Sequence, residues 1–124
     1  MPRPSSGSVR RAFLKRDKAL ELLKGCASRL VAERPDVVRV LLFGSLARGD
    51  HGPRSDADVI IILSRSDEPR FMDRIPDLLD YFLPAHMPVD LLPYTEAEVE
   101  RMVREGNPLV RRALAEGIEL ASAA

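Results

Sequence analysis

Leu41-Leu42-Phe43-Gly44-Ser45-Leu46-Ala47-Arg48-Gly49-Asp50 is followed, after His51–Ser55, by Asp56-Ala57-Asp58-Val59-Ile60-Ile61-Ile62-Leu63, and these two runs decide how the chain is read. Val37 to Phe43 is rich in β-branched and large apolar residues and stops at a glycine, which predicts a strand. Val59 to Leu63 predicts a second. Its apolar residues do not alternate with polar ones, the pattern of a central strand covered on both faces. Between them, Gly44 ends a strand and Ser45 opens a short helix. The backbone N–H groups of that turn lack intrahelical partners and face any anion placed there. Gly44 has no Cβ to hold a phosphate away from the backbone, and Ser45 adds a hydroxyl donor. Alone, Gly-Ser after a strand is a common turn.

Asp56 and Asp58 stand two apart at the entrance to the second strand, so their carboxylates share a face with Cα atoms about 6.6 Å apart. Like charges held that close repel unless a cation lies between them, and oxygen ligands of this kind suit Mg²⁺. An isolated Asp-x-Asp is equally a turn before a strand. Asp90 shifts that balance. It lies within the apolar run Val89-Asp90-Leu91-Leu92, where a lone carboxylate is costly to desolvate without a partner charge or a metal. If its strand neighbours the second one, three carboxylates converge.

Outward from this centre, helical spacing at Val9, Phe13, Leu20, Leu23, Ala27 and Leu30 predicts one long amphipathic helix, with Ser8 as N-cap, Pro35 as stop and a break in the stripe at Arg16. Phe71 to Leu83 predicts a helix, with Pro76 implying a kink or a late start and Pro84 closing it. Met87 to Leu92 predicts a third strand, ended by Pro93. Thr95-Glu96-Ala97-Glu98 has the form of a capping box. Gly106-Asn107-Pro108 supplies a glycine stop, an N-cap and a proline at the first position of a last helix, which runs to about Glu116, and Ile118 to Leu120 can add an edge strand. Strands alternating with helices predict an α/β (α+β) domain. Residues 1–8, with Pro2, Pro4, Gly7 and three serines, read as a flexible lead-in to a single domain over 9–124.

Lys plus Arg and Asp plus Glu number 19 each. That balance argues against a polynucleotide partner, which calls for a basic surface. Charge is uneven locally: Arg3, Arg10, Arg11, Lys15, Arg16 and Lys18 face only Asp17 in the first 18 residues, the pattern of a solvated helix face or of a basic patch. Cys26 is the sole cysteine, which excludes an internal disulfide and fits a reducing cytoplasm. No run is long enough to cross a bilayer. Arg48, one turn after Ser45, can reach phosphate or pair with Asp50 or a catalytic carboxylate; Arg54 is a weaker phosphate candidate. His51 and His86 have no partner at ligand spacing, and Tyr81 and Tyr94 read as packing residues.

Gly44-Ser45, ten intervening residues, Asp56-x-Asp58 and the later Asp90 resemble the nucleotidyltransferase superfamily related to DNA polymerase β, and more narrowly its minimal stand-alone prokaryotic members, the MNT domains. Gly-Ser-Leu-Ala-Arg-Gly, Val-Asp-Leu-Leu-Pro and Gly-Asn-Pro-Leu-Val-Arg-Arg-Ala-Leu-Ala-Glu-Gly-Ile-Glu-Leu are similar to the same group. The resemblance covers about Val9 to Leu120 and implies a polymerase β-like fold, a small mixed β-sheet flanked by helices. It implies that Gly44, Ser45 and Arg48 bind the nucleotide, that Asp56 and Asp58 hold two Mg²⁺ ions, and that Asp90 completes the site beside the metal nearest the attacking group. The expected reaction moves a nucleoside monophosphate, AMP from ATP or its equivalent from another NTP, to a hydroxyl with release of pyrophosphate. Larger relatives carry an additional acceptor-binding domain, whereas here only residues 91–124 follow Asp90. The resemblance therefore implies a partner: a HEPN-domain toxin whose tyrosine is AMPylated by this chain as antitoxin, or a second copy of the chain. A non-catalytic antitoxin or nucleotide-binding module, and a small-molecule (aminoglycoside-type) nucleotidyltransferase acting as a homodimer, stand beside it.

Overall fold

A computed structural model describes the backbone of residues 6–49 and 56–123, and within them the side chains from Lys15 onward. Arg3, Asp50, His51 and Arg54, and the side chains of Arg10 and Arg11, lie outside that description. The elements run α1 (Ser6–Glu33), β1 (Val37–Phe43), α2 (Gly44–Arg48), β2 (Ala57–Leu63), a 3₁₀ turn (Phe71–Arg74), α3 (Ile75–Leu79), a second 3₁₀ turn (Asp80–Ala85), β3 (Val89–Thr95), α4 (Glu96–Arg104), α5 (Pro108–Glu116) and β4 (Ile118–Ser122).

The four strands form one mixed sheet in the order β3-β2-β1-β4. β2 is antiparallel to β1 and parallel to β3, and β4 is antiparallel to β1. A parallel neighbour requires a long crossover. Residues 64–88 supply it, carrying α3 and both 3₁₀ turns.

Side chains alternate across the pleat, so β1, β2 and β3 each feed two cores. On one face Val40, Leu42, Val59, Ile61 and Leu63 pack with Leu23, Ala27 and Leu30 of α1 and with Leu78 and Phe82 of the crossover. On the other, Leu41, Ile60 and Ile62 pack beneath Val99 of α4 and Val110 and Ala113 of α5. Ile60 to Leu63 are therefore all buried, as their unbroken apolar run predicts.

Several expectations shift. α1 begins at Ser6, so Ser8 lies in its first turn rather than capping it. The helix expected over Phe71–Leu83 is broken into a 3₁₀ turn, one turn of α-helix and a second 3₁₀ turn. Pro76 is tolerated because it sits in the first turn of α3, while Pro84 lies in the second 3₁₀ turn and the chain leaves through His86 at φ 54°. β3 continues through Pro93 to Thr95 instead of ending before it. It is an edge strand, where a residue without an N–H is accommodated.

The N-caps of α4 and α5 match the sequence. Thr95 Oγ1 accepts from the Glu98 N–H at 3.2 Å while Glu98 Oε1 accepts from the Thr95 N–H at 2.8 Å, and Asn107 Oδ1 accepts from the Val110 N–H at 3.1 Å. Glu98 is also bound by Arg74, a buried residue whose guanidinium donates to the Pro93 and Glu68 carbonyls, tying the crossover to the start of α4.

Candidate active site

The end of β1 sets the geometry. Phe43 is paired with Asp58 across β1 and β2, so Gly44, the next residue, passes close to the Asp58 side chain. A Cβ on Gly44 would sit 2.5 Å from Asp58 Oδ2, and its φ of 78° lies where other residues are strained. Glycine is required here twice over, by the turn and by the carboxylate. The five-residue helix α2 then opens from an extended Phe43 with no side-chain cap, leaving its first N–H groups without a side-chain partner. It closes on Gly49 at φ 84°, whose N–H donates to the Ser45 carbonyl at 2.9 Å.

Such a short helix does not hold itself. Arg16 of α1 supports it from below: its Nε donates to the Leu46 carbonyl at 3.0 Å and its Nη2 to the Ala47 carbonyl at 2.9 Å. The guanidinium also lies beside Gly49. A helix this short leaves those carbonyls without the N–H groups of a following turn, and a planar guanidinium serves two at once.

β2 and β3 bring Asp58 and Asp90 side by side. In their parallel register Asp58 stands opposite Asp90, with Asp56 one residue before β2 begins. The condition that β3 neighbour β2 is met. Asp58 is half-buried, while Asp56 and Asp90 are exposed. Burial pushes the Asp58 carboxyl above the usual range, the charges of Asp90 and Asp56 push it the same way, and Arg48 acts against them. Arg48 is thus close enough for its charge to be felt by the central carboxylate. Among the described residues no three carboxylate, imidazole or thiol groups are drawn together into a ready cage for an ion; the three aspartates are ranged along one edge of the sheet.

An open cleft of about 330 Å³ adjoins this edge on the far side from β3. Phe43, Gly44, Ala47 and Arg48 line one side, and Pro108, Leu109, Arg112 and Glu116 of α5 the other. The remaining candidates fall elsewhere. His86 is an exposed turn residue. Tyr94 packs against Phe71 with ring centres 6.0 Å apart, and Tyr81 lies under Arg29. No motif singles out Arg16, and its one mark in the sequence is that the break in the apolar stripe of α1 falls on it.

The nucleotidyltransferase domain model matches residues 20–119. The chain belongs to that family. This nucleotidyltransferase domain also resembles the crystal structure of a nucleotidyltransferase candidate from Sulfolobus solfataricus, at a TM-score of 0.65 and 22% identity, over 98% of this chain and 92% of that one. A toxin–antitoxin complex crystallised with AMP-PNP is a fainter likeness, with a TM-score of 0.48 and 18% identity over 87% and 73% of the two chains. A search of curated proteins returned no match. The fold is therefore that of a nucleotidyltransferase, with the four-stranded mixed sheet described above. No helix among the described residues is long and apolar enough to cross a membrane.

Proposed function

We propose that this nucleotidyltransferase transfers a nucleoside monophosphate, AMP from ATP in the first instance, to a hydroxyl acceptor with release of pyrophosphate. The observation that carries the reading is the register of β2 and β3, which sets Asp58 opposite Asp90 beside a glycine turn that touches Asp58. The donor set fits divalent ions: oxygen atoms only, with one half-buried carboxylate destabilised by two like charges. Asp56 and Asp58 would hold Mg²⁺, with Asp90 completing the set. Two such ions, when bound, neutralise charge on the attacking and leaving oxygens of an in-line displacement.

The chain's own groups do the rest. Gly44 lets the β- and γ-phosphates lie against the backbone, and the Ser45 hydroxyl and the uncapped N–H groups of α2 donate to them. Arg48 supplies a cation beside the leaving pyrophosphate. Asp90, on the β3 side, accepts the acceptor hydroxyl's proton as the hydroxyl oxygen bonds to the α-phosphorus and the bond to the bridging oxygen of the β-phosphate breaks.

Resemblance to the minimal stand-alone group supports a protein acceptor, a tyrosine of a HEPN-domain partner, with this chain as the antitoxin. The test is to incubate the chain with Mg²⁺, ATP and the protein that co-purifies with it, and to weigh both. An AMP-sized mass increase on the partner, lost with Asp56→Asn plus Asp58→Asn, is expected. No increase with both proteins folded contradicts it. Partner neutralisation that survives the double variant makes docking alone the function, and label found on an aminoglycoside-type small molecule instead makes the acceptor a metabolite or drug.

A further inference from the structure

The sheet face that carries Asp58 runs past β1 into the cleft between α2 and α5, and the two share Gly44 and Arg48. The walls of this cleft are apolar. Phe43 and Ala47 form one, and Leu109, which is 43% exposed, stands on the other. Arg112 and Glu116, one turn apart on α5, also line it. Among the described residues neither side chain has a hydrogen bond or ion pair. A slot of about 330 Å³ with apolar walls and two unengaged polar groups of opposite sign has the make-up of a small-molecule pocket.

We propose that this cleft holds the nucleobase of the nucleoside triphosphate. The inference rests on the nucleotide reading above and adds to it the place and the selection of the base. Three occupants compete, and the residues decide between them. A polyphosphate would meet Arg48 and Arg112, but it gains nothing from Phe43, Ala47 and Leu109 and is repelled by Glu116. The acceptor belongs on the other side of Asp58, where Asp90 stands, because attacking and leaving groups oppose each other across the α-phosphorus. The nucleoside's 5′ oxygen lies on neither in-line bond, so the base is free to turn into the cleft while pyrophosphate rests at Ser45. A flat ring there is flanked by Phe43 and Leu109, and the planar Arg112 guanidinium can lie against it. Glu116 accepts a hydrogen bond from an exocyclic amino group, which adenine, cytosine and guanine carry and uracil lacks. Uracil presents a carbonyl oxygen where cytosine has its amino group, and its repulsion by the carboxylate makes the difference one of discrimination rather than of affinity alone.

The experiment measures binding of ATP, CTP, UTP and inorganic tripolyphosphate, each with Mg²⁺, to the intact chain and to Leu109→Asp and Glu116→Gln. Both sites are exposed, and an acidic residue in the first turn of α5 is compatible with the helix; thermal unfolding checks each variant. Leu109→Asp should weaken ATP by about tenfold or more and leave tripolyphosphate within about twofold. Glu116→Gln should shrink the ATP over UTP preference by about tenfold. Photolysis of 8-azido-ATP on the wild-type chain should label the segment 107–117. A wild-type chain that binds neither ATP nor tripolyphosphate overturns the nucleotide reading and the cleft with it. Wild-type binding that both variants leave unchanged, with label outside 107–117, overturns the cleft alone. Equal loss of ATP and tripolyphosphate in Leu109→Asp also overturns it, making the cleft a phosphate pocket.

Discussion

Arg16→Ala removes the support beneath the phosphate turn without touching any residue proposed to meet the nucleotide. Two guanidinium–carbonyl hydrogen bonds are lost, to Leu46 and Ala47. Bonds to a charged donor contribute about 1.5–3 kcal/mol each. Arg16 is half-buried rather than enclosed, and water replaces part of that, so about 2–3 kcal/mol for the pair is a fair figure. The loss falls on α2, one helical turn whose other anchor is Leu46 in the core. Amide exchange at residues 46–49 should accelerate by about 30- to 150-fold, and Mg-ATP should bind more weakly by up to the same factor, because binding must now order the turn. The rate at saturating nucleotide should change much less. Arg16→Lys, a point charge with no fork, should recover only part of the effect. Exchange and ATP affinity both unchanged in Arg16→Ala would refute the claim that α1 holds the turn.

Further expectations follow from the same geometry. Gly44→Ala forces a Cβ against Asp58 Oδ2 at a positive φ; it should cost about 1–3 kcal/mol in denaturant unfolding and abolish transfer even where the chain still folds. Asp58→Asn removes a half-buried charge facing two like charges, so the metal-free protein should melt higher in calorimetry with EDTA, while transfer falls by about a hundredfold or more. Arg74→Met deletes the buried partner of Glu98 and should lower stability by about 2–4 kcal/mol with little effect on transfer at saturating substrate, since Arg74 bonds to the Pro93 end of β3 and not the Asp90 end. The hydrogen bond from Arg74 holds the Glu98 carboxyl below its ordinary 4.5, and Arg34 does the same to Asp36 below 3.8. A depressed carboxyl stabilises the fold above its unfolded value and loses that contribution as pH falls through the folded one. Melting temperature should therefore drop on acidification below about pH 4.5, and less steeply in Arg74→Met.

Much of this was legible in the sequence because local signals and global fold agree. β1 occupies Val37–Phe43 as its composition predicts, the capping box at Thr95 and the Asn107-Pro108 start are both present, and the unbroken apolar run of β2 is an interior strand. The pairing of Asp58 with Asp90 could be posed from sequence only as a condition, because strand order is a long-range property. What misled were the prolines. Pro93 reads as a stop, yet an edge position frees it from the ladder. Pro76 and Pro84 read as a kink and a cap, yet they break the segment into three short pieces. Arg16 shows a different limit. Its polar interruption of an apolar stripe was visible, but its partners are carbonyls 30 and 31 residues away, and backbone groups leave no trace in side-chain pattern. The cleft beside α5 likewise depends on how two helices meet, and no motif spans it.

The most direct test of transfer uses ATP labelled at the α-phosphate, and separately at the γ-phosphate, with the intact chain, Mg²⁺ and the protein that co-purifies with it. The account predicts that α-label moves to the acceptor while γ-label leaves as pyrophosphate, and that Asp56→Asn plus Asp58→Asn stops both. Transfer of γ-label to the acceptor, or α-label transfer that persists in the double variant, would contradict it.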